Sequence, residues 1–158
     1  MPATFPSSST LAASDAVQDY RRRGWTVAET ANGVCLITDE QIAAIELTGT
    51  LAAEVRRFLR ANNLSGPVIE IPGAERREIH LVVGAAKATL AIEALRVAGA
   101  IVHTDGASIP LPPTRLSNGS ANWAISPTEA RWTPPVVAIS AAVHAAAPAR
   151  HRLTEVAC

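Results

Sequence analysis

Charged and imidazole side chains alternate with apolar residues in two segments that are predicted to be strands. Glu78 and His80 are two residues apart in one segment, and Glu46 and Thr48 are two apart in the other. Side chains two apart on a strand share a side, so a common sheet would place all four on one face, away from the helix-packed core. A carboxylate and an imidazole on an open face are typical of an active site. The alternative is a solvated face whose His–Glu pair contributes under about 1 kcal/mol.

The balance of charge and hydrophobicity limits what such a face can bind. Hydrophobic residues make up 48% of the 158-residue chain and charged residues 18%, which is typical of one folded globular domain. The 14 basic residues, of which 13 are Arg, are matched by 14 acidic residues. A freestanding nucleic-acid-binding protein usually carries a basic excess, so we expect a local basic patch at most.

Cysteine usage and the lack of targeting signals indicate the compartment. Cys35 and Cys158 belong to no Cys-x-x-Cys pair or Cys/His cluster, which argues against a zinc site or a disulfide framework. No basic region precedes an apolar run at the N-terminus, and no apolar run has the length of a membrane span. We therefore expect a cytoplasmic protein with no membrane partner.

Turn signals and hydrophobic periodicity predict interleaved strands and helices. Asn32-Gly33 and Asp105-Gly106 each predict a hairpin, the second between strands 101–103 and 107–111. Frequent hairpins predict an α+β fold with a mixed, largely antiparallel sheet and helices packed on one face. We expect one domain over 14–148, a disordered tail at 1–13 and a frayed tail at 149–158. The other predicted strands are 25–29, 34–38, 42–48, 67–71 and 77–83, and the predicted helices are 15–23, 50–62, 85–97 and 134–147.

Four stretches follow one another in a distinctive order. They are AVQDYRRRGWTV (16–27), IAAIEL (42–47), EIHLVV (78–83) and TDGASIPLPPTRLSNGSANWAISP (104–127). The last stretch combines an Asp-Gly turn, a strand, a Pro-Pro-Thr element, a Gly turn and a Trp. In this order the stretches resemble the N-terminal domain of bifunctional DNA primase–polymerases, of the archaeo-eukaryotic primase superfamily. The resemblance spans 16–143 and implies a primase–polymerase-like fold and a link to DNA replication.

The resemblance also implies a two-metal nucleotidyltransferase site at which this chain lacks ligands. Two divalent cations about 4 Å apart repel by roughly 15 kcal/mol, so several carboxylates must offset the repulsion. Glu46 matches the family's first acid, but Thr48 and Ile101 stand where the second and third acids would be. His80 matches the active-site histidine, and Asp105 lies in the nearby turn. We therefore take Glu46, His80 and Asp105 as vestigial catalytic residues and expect no cofactor, with Mg²⁺ or Mn²⁺ bound only if the site is active.

Binding residues follow from the same resemblance. Arg115 comes directly after the Pro-Pro-Thr element, which in the family lies close to substrate, and Arg76 and Arg77 adjoin the strand of His80. We predict that these three Arg side chains contact DNA or a nucleotide weakly. The predicted function is a catalytically inactive domain that binds nucleic acid or nucleotide, or that docks a DNA replication partner.

Two alternatives from other functional classes stay open. One is an active DNA primase/polymerase with shifted acids such as Asp39, Glu46 and Asp105, which requires three carboxylates that converge. The other is a pure protein-interaction module, which requires an exposed apolar patch. The nucleic-acid prediction in turn requires a basic rim around His80 and Arg115.

Overall fold

The computed structural model describes the backbone of residues 8–156 and the side chains of residues 14–146. The helices are α1 (Ser8–Arg22), α2 (Gly49–Ala61), α3 (Thr89–Val97) and α4 (Val136–Val156), with a 3₁₀ turn at Ala85–Lys87. The strands are β1 (Val27–Thr30), β2 (Gly33–Ile37), β3 (Ala43–Thr48), β4 (Val68–Ile71), β5 (Arg77–Val82), β6 (Ile101–His103), β7 (Ser108–Leu111), β8 (Arg115–Leu116), β9 (Gly119–Ser120) and β10 (Asn122–Ile125). Within the described residues, no helix is both long enough and apolar enough to cross a bilayer.

A five-stranded antiparallel sheet, in the order β10-β4-β5-β3-β6, forms the centre of the fold. Helices α2, α3 and α4 pack on one of its faces, where Ala43, Ile45 and Leu47 of β3 contact them. The apolar residues of α2 recur at helical spacing and therefore form one buried stripe. This stripe consists of Leu51, Ala52, Val55 and Leu59.

A second layer covers the opposite face of this sheet. The strands β1, β2 and β7 form a three-stranded antiparallel sheet that packs, together with α1, against Ala44, Ile79 and Leu81. The prediction of an α+β fold with a largely antiparallel sheet is confirmed, but the open sheet face expected from the sequence is wrong. Antiparallel pairing joins the apolar sides of β2 and β7 into one surface that must be buried. The buried residues of this layer are Val17, Tyr20, Val34, Leu36, Ile109 and Leu111.

The two Asp/Asn-Gly turns have different outcomes. The hairpin at Asn32-Gly33 is confirmed, because β1 and β2 pair antiparallel on either side of it. The hairpin predicted at Asp105-Gly106 is wrong, because β6 pairs with β3 and β7 pairs with β2. The turn therefore connects two different sheets. A tight turn reverses the chain locally, but burial of the flanking strands decides which neighbours they pair with.

Several helix ends differ from the predictions. α1 begins at Ser8, ahead of the predicted start at Asp15, and α4 continues to Val156. The helix predicted over 85–97 is interrupted at Ala88, between the 3₁₀ turn and α3. The predicted tails reach into residues 1–7 and 157–158, which lie outside the described residues, and these tails stay predictions.

Candidate functional site

The register between β3 and β5 decides where the predicted site residues lie. Glu46 pairs with Ile79, while His80 pairs with Ile45 and Glu78 pairs with Leu47. Directly paired residues share a face, so Glu78 and His80 lie on the helix-covered face and Glu46 lies on the opposite one. The prediction that they share one open face is wrong. The alternation along each strand is as expected, but a one-residue offset in register moves a whole set of side chains to the other face.

Glu78 is the centre of a buried ionic group on the helix-covered face. Its side chain is 0% exposed, and its Oε1 lies 3.2 Å from Arg56 Nη1 and 2.8 Å from Arg76 Nε. Its Oε2 lies 3.6 Å from His80 Nε2, beyond hydrogen-bond reach, and both of these atoms are buried without a hydrogen-bond partner. We call these four residues the Glu78 cluster.

The electrostatics of the Glu78 cluster favour the ionised carboxylate. Burial by itself raises the pKa of the Glu78 carboxyl. His80 and the Arg56 guanidinium lower the pKa by more than burial raises it, so the pKa lies below its ordinary value. Arg56 is a residue of α2, and only 19% of its side chain is exposed. It directly follows Val55 at the edge of the α2 stripe, and that position was the only sequence signal for its role.

Glu46 is the centre of a second ionic group, on the other face of the same two strands. Arg77 binds its Oε2 through Nε at 3.1 Å and Nη2 at 3.0 Å, and His103 Nε2 lies 3.3 Å from its Oε1. An ionised carboxylate only accepts hydrogen bonds, so this contact requires a proton on Nε2 of His103. We call these three residues the Glu46 cluster. His103 was not predicted as a site residue; pairing of β6 with β3 brings it beside Glu46.

The remaining predicted acids serve local structure. Asp105 is exposed in its turn, with φ of 57°, and its Oδ2 accepts a hydrogen bond from the Thr104 hydroxyl at 3.4 Å. Asp39 Oδ1 accepts hydrogen bonds from the backbone amides of Gln41 and Ile42. Among residues 14–146, no three His, Cys, Asp or Glu side chains form a group that could hold a metal ion. The three converging carboxylates required by the polymerase alternative are therefore not found in this part of the chain.

The predicted Arg contacts do not form one surface. Arg76 and Arg77 are neighbours in sequence, but they bind glutamates on opposite faces of the sheet. Arg115 is exposed at the start of β8, and its backbone amide donates a hydrogen bond to the carbonyl of Asn32. Only 2% of His80 is exposed, so no basic rim can surround it.

The stretch from Thr104 to Pro127 is fixed in place by buried polar contacts. The Tyr20 hydroxyl donates to the Pro112 carbonyl at 2.5 Å and accepts a hydrogen bond from Trp123 Nε1 at 3.2 Å. Burial raises the pKa of this hydroxyl. Thr114 is buried, and its Oγ1 donates to the Val34 carbonyl at 2.6 Å. Trp25 stacks on Tyr20 with ring centroids 5.6 Å apart.

An apolar surface lies on the other side of the helical layer, away from both ionic clusters. Leu90 and Val97 of α3 are 88% and 81% exposed, and Val137 of α4 is about half exposed at 53%. A groove of about 560 Å³ runs between α3 and α4 beside them. Its lining is mostly apolar and small, and consists of Ala94, Val97, Ala98, Val137, Ser140, Ala141, Val143 and His144. We call these residues, together with Leu90, the α3–α4 surface.

The composition of α3 explains this exposure. Leu95 is fully buried and Ile92 packs on the core, so they account for the inner side of the helix. Leu90, Ala94 and Val97, at spacing i, i+4 and i+7, form a second apolar stripe that faces solvent. A helix that is apolar on two sides is typical of one that is covered on both sides.

Comparison of the chain with protein-family models, with curated proteins and with solved structures gives no match. The resemblance to primase–polymerases therefore stays a prediction from the sequence. The candidate functional surface rests on geometry, namely the exposed apolar stripe of α3 and the groove beside it.

Proposed function

We propose that this chain is a non-catalytic protein-interaction module that binds an α-helix of a partner protein on the α3–α4 surface. The observation that carries the proposal is the exposure of Leu90 and Val97, 88% and 81%, beside an apolar groove. Contiguous exposed apolar residues mark interaction sites, whereas scattered ones need no explanation. Covering both side chains would contribute roughly 3–6 kcal/mol before the entropic cost of association is subtracted.

The shape of the surface favours a helical partner. Ala94, Ala98 and Ala141 line the groove between two helices, and their small side chains let another helix approach closely. The stripe at i, i+4 and i+7 matches the row spacing along which helices interlock. Such binding is the helix-in-groove mode, in which a few apolar anchors supply most of the affinity.

The geometry gives less support to the alternatives. The β3–β5 register separates Glu46 from His80, which breaks up the expected catalytic face. Arg76 and Arg77 are paired with glutamates, so little unpaired positive charge is left there for phosphates. The primase–polymerase resemblance adds a prediction about context, which is that the partner belongs to DNA replication.

The proposal can be tested with a stapled helical peptide that carries Leu at i, i+4 and i+7. We expect titration of the ¹⁵N-labelled chain to shift the amide signals of Ala94, Val97 and Ala141. A control peptide with Ser at the three positions should give no shifts. Val97→Glu should weaken binding at least about 10-fold, because it places a charge in an apolar contact.

A matched control variant separates this effect from a general change in charge. Ala53→Glu adds the same group at an exposed position of α2, away from the α3–α4 surface, and should leave peptide affinity unchanged. Shifts that map to α2, or peptide binding that is insensitive to Val97→Glu, would overturn the proposal.

A further inference from the structure

The α3–α4 surface has the features of one that binds itself. Resting on the proposed function, we infer that its helical partner is α3 of a second copy of this chain, packed antiparallel across a twofold axis. In such an isologous interface, every contact occurs twice with the roles of the two copies exchanged. The inference therefore requires that the surface be complementary to itself in shape and in charge.

The shape condition is met because the projection and the groove lie at opposite ends of the α3 stripe. Leu90 is 88% exposed at the start of α3 and is not part of the groove lining. The groove includes Val97 at the end of α3 and Val137 at the start of α4. An antiparallel arrangement centred on Ala94 brings Leu90 of each copy to the Val97 end of the other. Each Leu90 then enters a groove lined by small apolar side chains.

The charge condition is met by the residues beside the stripe. Glu93 and Arg96 are exposed and three residues apart, so they lie on the same flank of the outer face of α3. Antiparallel packing of two identical helices brings this flank against itself, so that Glu93 of each copy faces Arg96 of the other. The chain has a formal net charge of zero, so two copies do not repel each other over distance.

The experiment is sedimentation equilibrium of the full chain from low micromolar to near millimolar concentration, with circular dichroism to confirm the fold of each variant. We expect a monomer–dimer equilibrium. Leu90→Glu should raise the dimer Kd by about 30-fold or more, because it places a charge in the apolar groove of the other copy. Ala53→Glu on α2 should leave the Kd unchanged.

Charge exchange tests the antiparallel arrangement directly. Glu93→Arg alone and Arg96→Glu alone should each raise the dimer Kd by about 3- to 10-fold, because like charges then face each other. Mixing these two variants should restore dimerisation, since every cross-axis pair in the mixed dimer has opposite charges. The double exchange in one chain should also restore it.

The outcomes separate this inference from the proposed function. A chain that stays monomeric at every concentration, yet binds the stapled peptide, overturns the second-copy inference and leaves the interaction module standing. A dimer that is insensitive to Leu90→Glu, or single charge variants that are not rescued by mixing, also overturns the inference. A chain that neither dimerises nor binds the peptide overturns both.

Discussion

Glu78 and Glu46 lie on adjacent rungs of the β3–β5 ladder, and each is held by Arg and His side chains, yet their surroundings differ. Glu78 is 0% exposed, and one of its partners, Arg56, comes from α2. Glu46 is bound by Arg77 and His103, which come from the strands on either side of it. The Glu78 cluster thus ties the sheet to the helical layer, whereas the Glu46 cluster ties neighbouring strands together.

Both carboxylates are buried, with side-chain exposures of 0% for Glu78 and 6% for Glu46, so the difference between the clusters lies in the burial of their partners. A fully buried carboxylate must be compensated by partners, because leaving a charge unpaired in the interior is costly. Each cluster has one half-exposed Arg, Arg76 at 46% and Arg77 at 45%, but the other partners differ. Arg56 and His80 beside Glu78 are 19% and 2% exposed, whereas His103 beside Glu46 is 26% exposed, so water lies closer to the Glu46 cluster and can replace a lost contact there. The two clusters contain the same residue types, but we expect their substitutions to have unequal effects.

The largest expected effect comes from the apolar core on the Glu46 face. Leu81 is 0% exposed there, and Leu81→Ala should lower the free energy of unfolding by about 3–4 kcal/mol through lost transfer energy and a cavity. Urea denaturation followed by far-UV circular dichroism measures this change. A loss under about 1 kcal/mol would mean that Leu81 is not buried between the two layers.

Glu78→Ala should have the next largest effect. The change leaves Arg56 and Arg76 without their carboxylate and should cost about 3 kcal/mol of unfolding free energy. This value is at the low end for breaking a buried ion pair, because both Arg side chains are partly exposed. Arg115→Ala at an exposed position is the control and should stay within about 0.5 kcal/mol. Equal stability of the Glu78 and Arg115 variants would contradict the role of the cluster.

Lowering the pH should reduce the contribution of the Glu78 cluster to the free energy of unfolding. The pKa of Glu78 is lower in the folded chain than in the unfolded chain, so the unfolded state takes up its proton first as pH falls. The stabilisation is complete above the unfolded value, about 4.3, and is lost as pH falls toward the folded pKa. Unfolding free energy measured from pH 7 downward should therefore drop more steeply for the wild type than for Glu78→Gln. Parallel curves would show that Glu78 is not held ionised.

The smallest effect is expected from the Glu46 cluster. Glu46→Gln keeps the shape of the side chain and removes the charge that Arg77 and His103 share. The loss of unfolding free energy should be about 1 kcal/mol or less, in the range of partly exposed ion pairs. A loss equal to that of Glu78→Ala would remove the distinction between the two clusters.

Much of the local structure could be predicted from the sequence, because it depends on neighbours along the chain. Alternation in 77–83, the Asn32-Gly33 hairpin and the apolar stripe of α2 all follow from backbone geometry within a few residues. The candidate surface was only partly predictable. Leu90, Ala94 and Val97 recur at helical spacing in the sequence, but an alanine-rich helix with apolar residues on two sides does not reveal which side faces the core.

The sequence by itself determined which residues alternate, which turns are tight and which segments are helical. Only the tertiary structure decided the register of β3 against β5, which places Glu46 and His80 on opposite faces. Tertiary packing also joined β2 to β7 and so covered the face that alternation alone had left open. The physical reason is that side-chain direction along a strand is set by the local pleat. Register and layer order instead depend on burying residues that are far apart in the chain, and no local pattern encodes them.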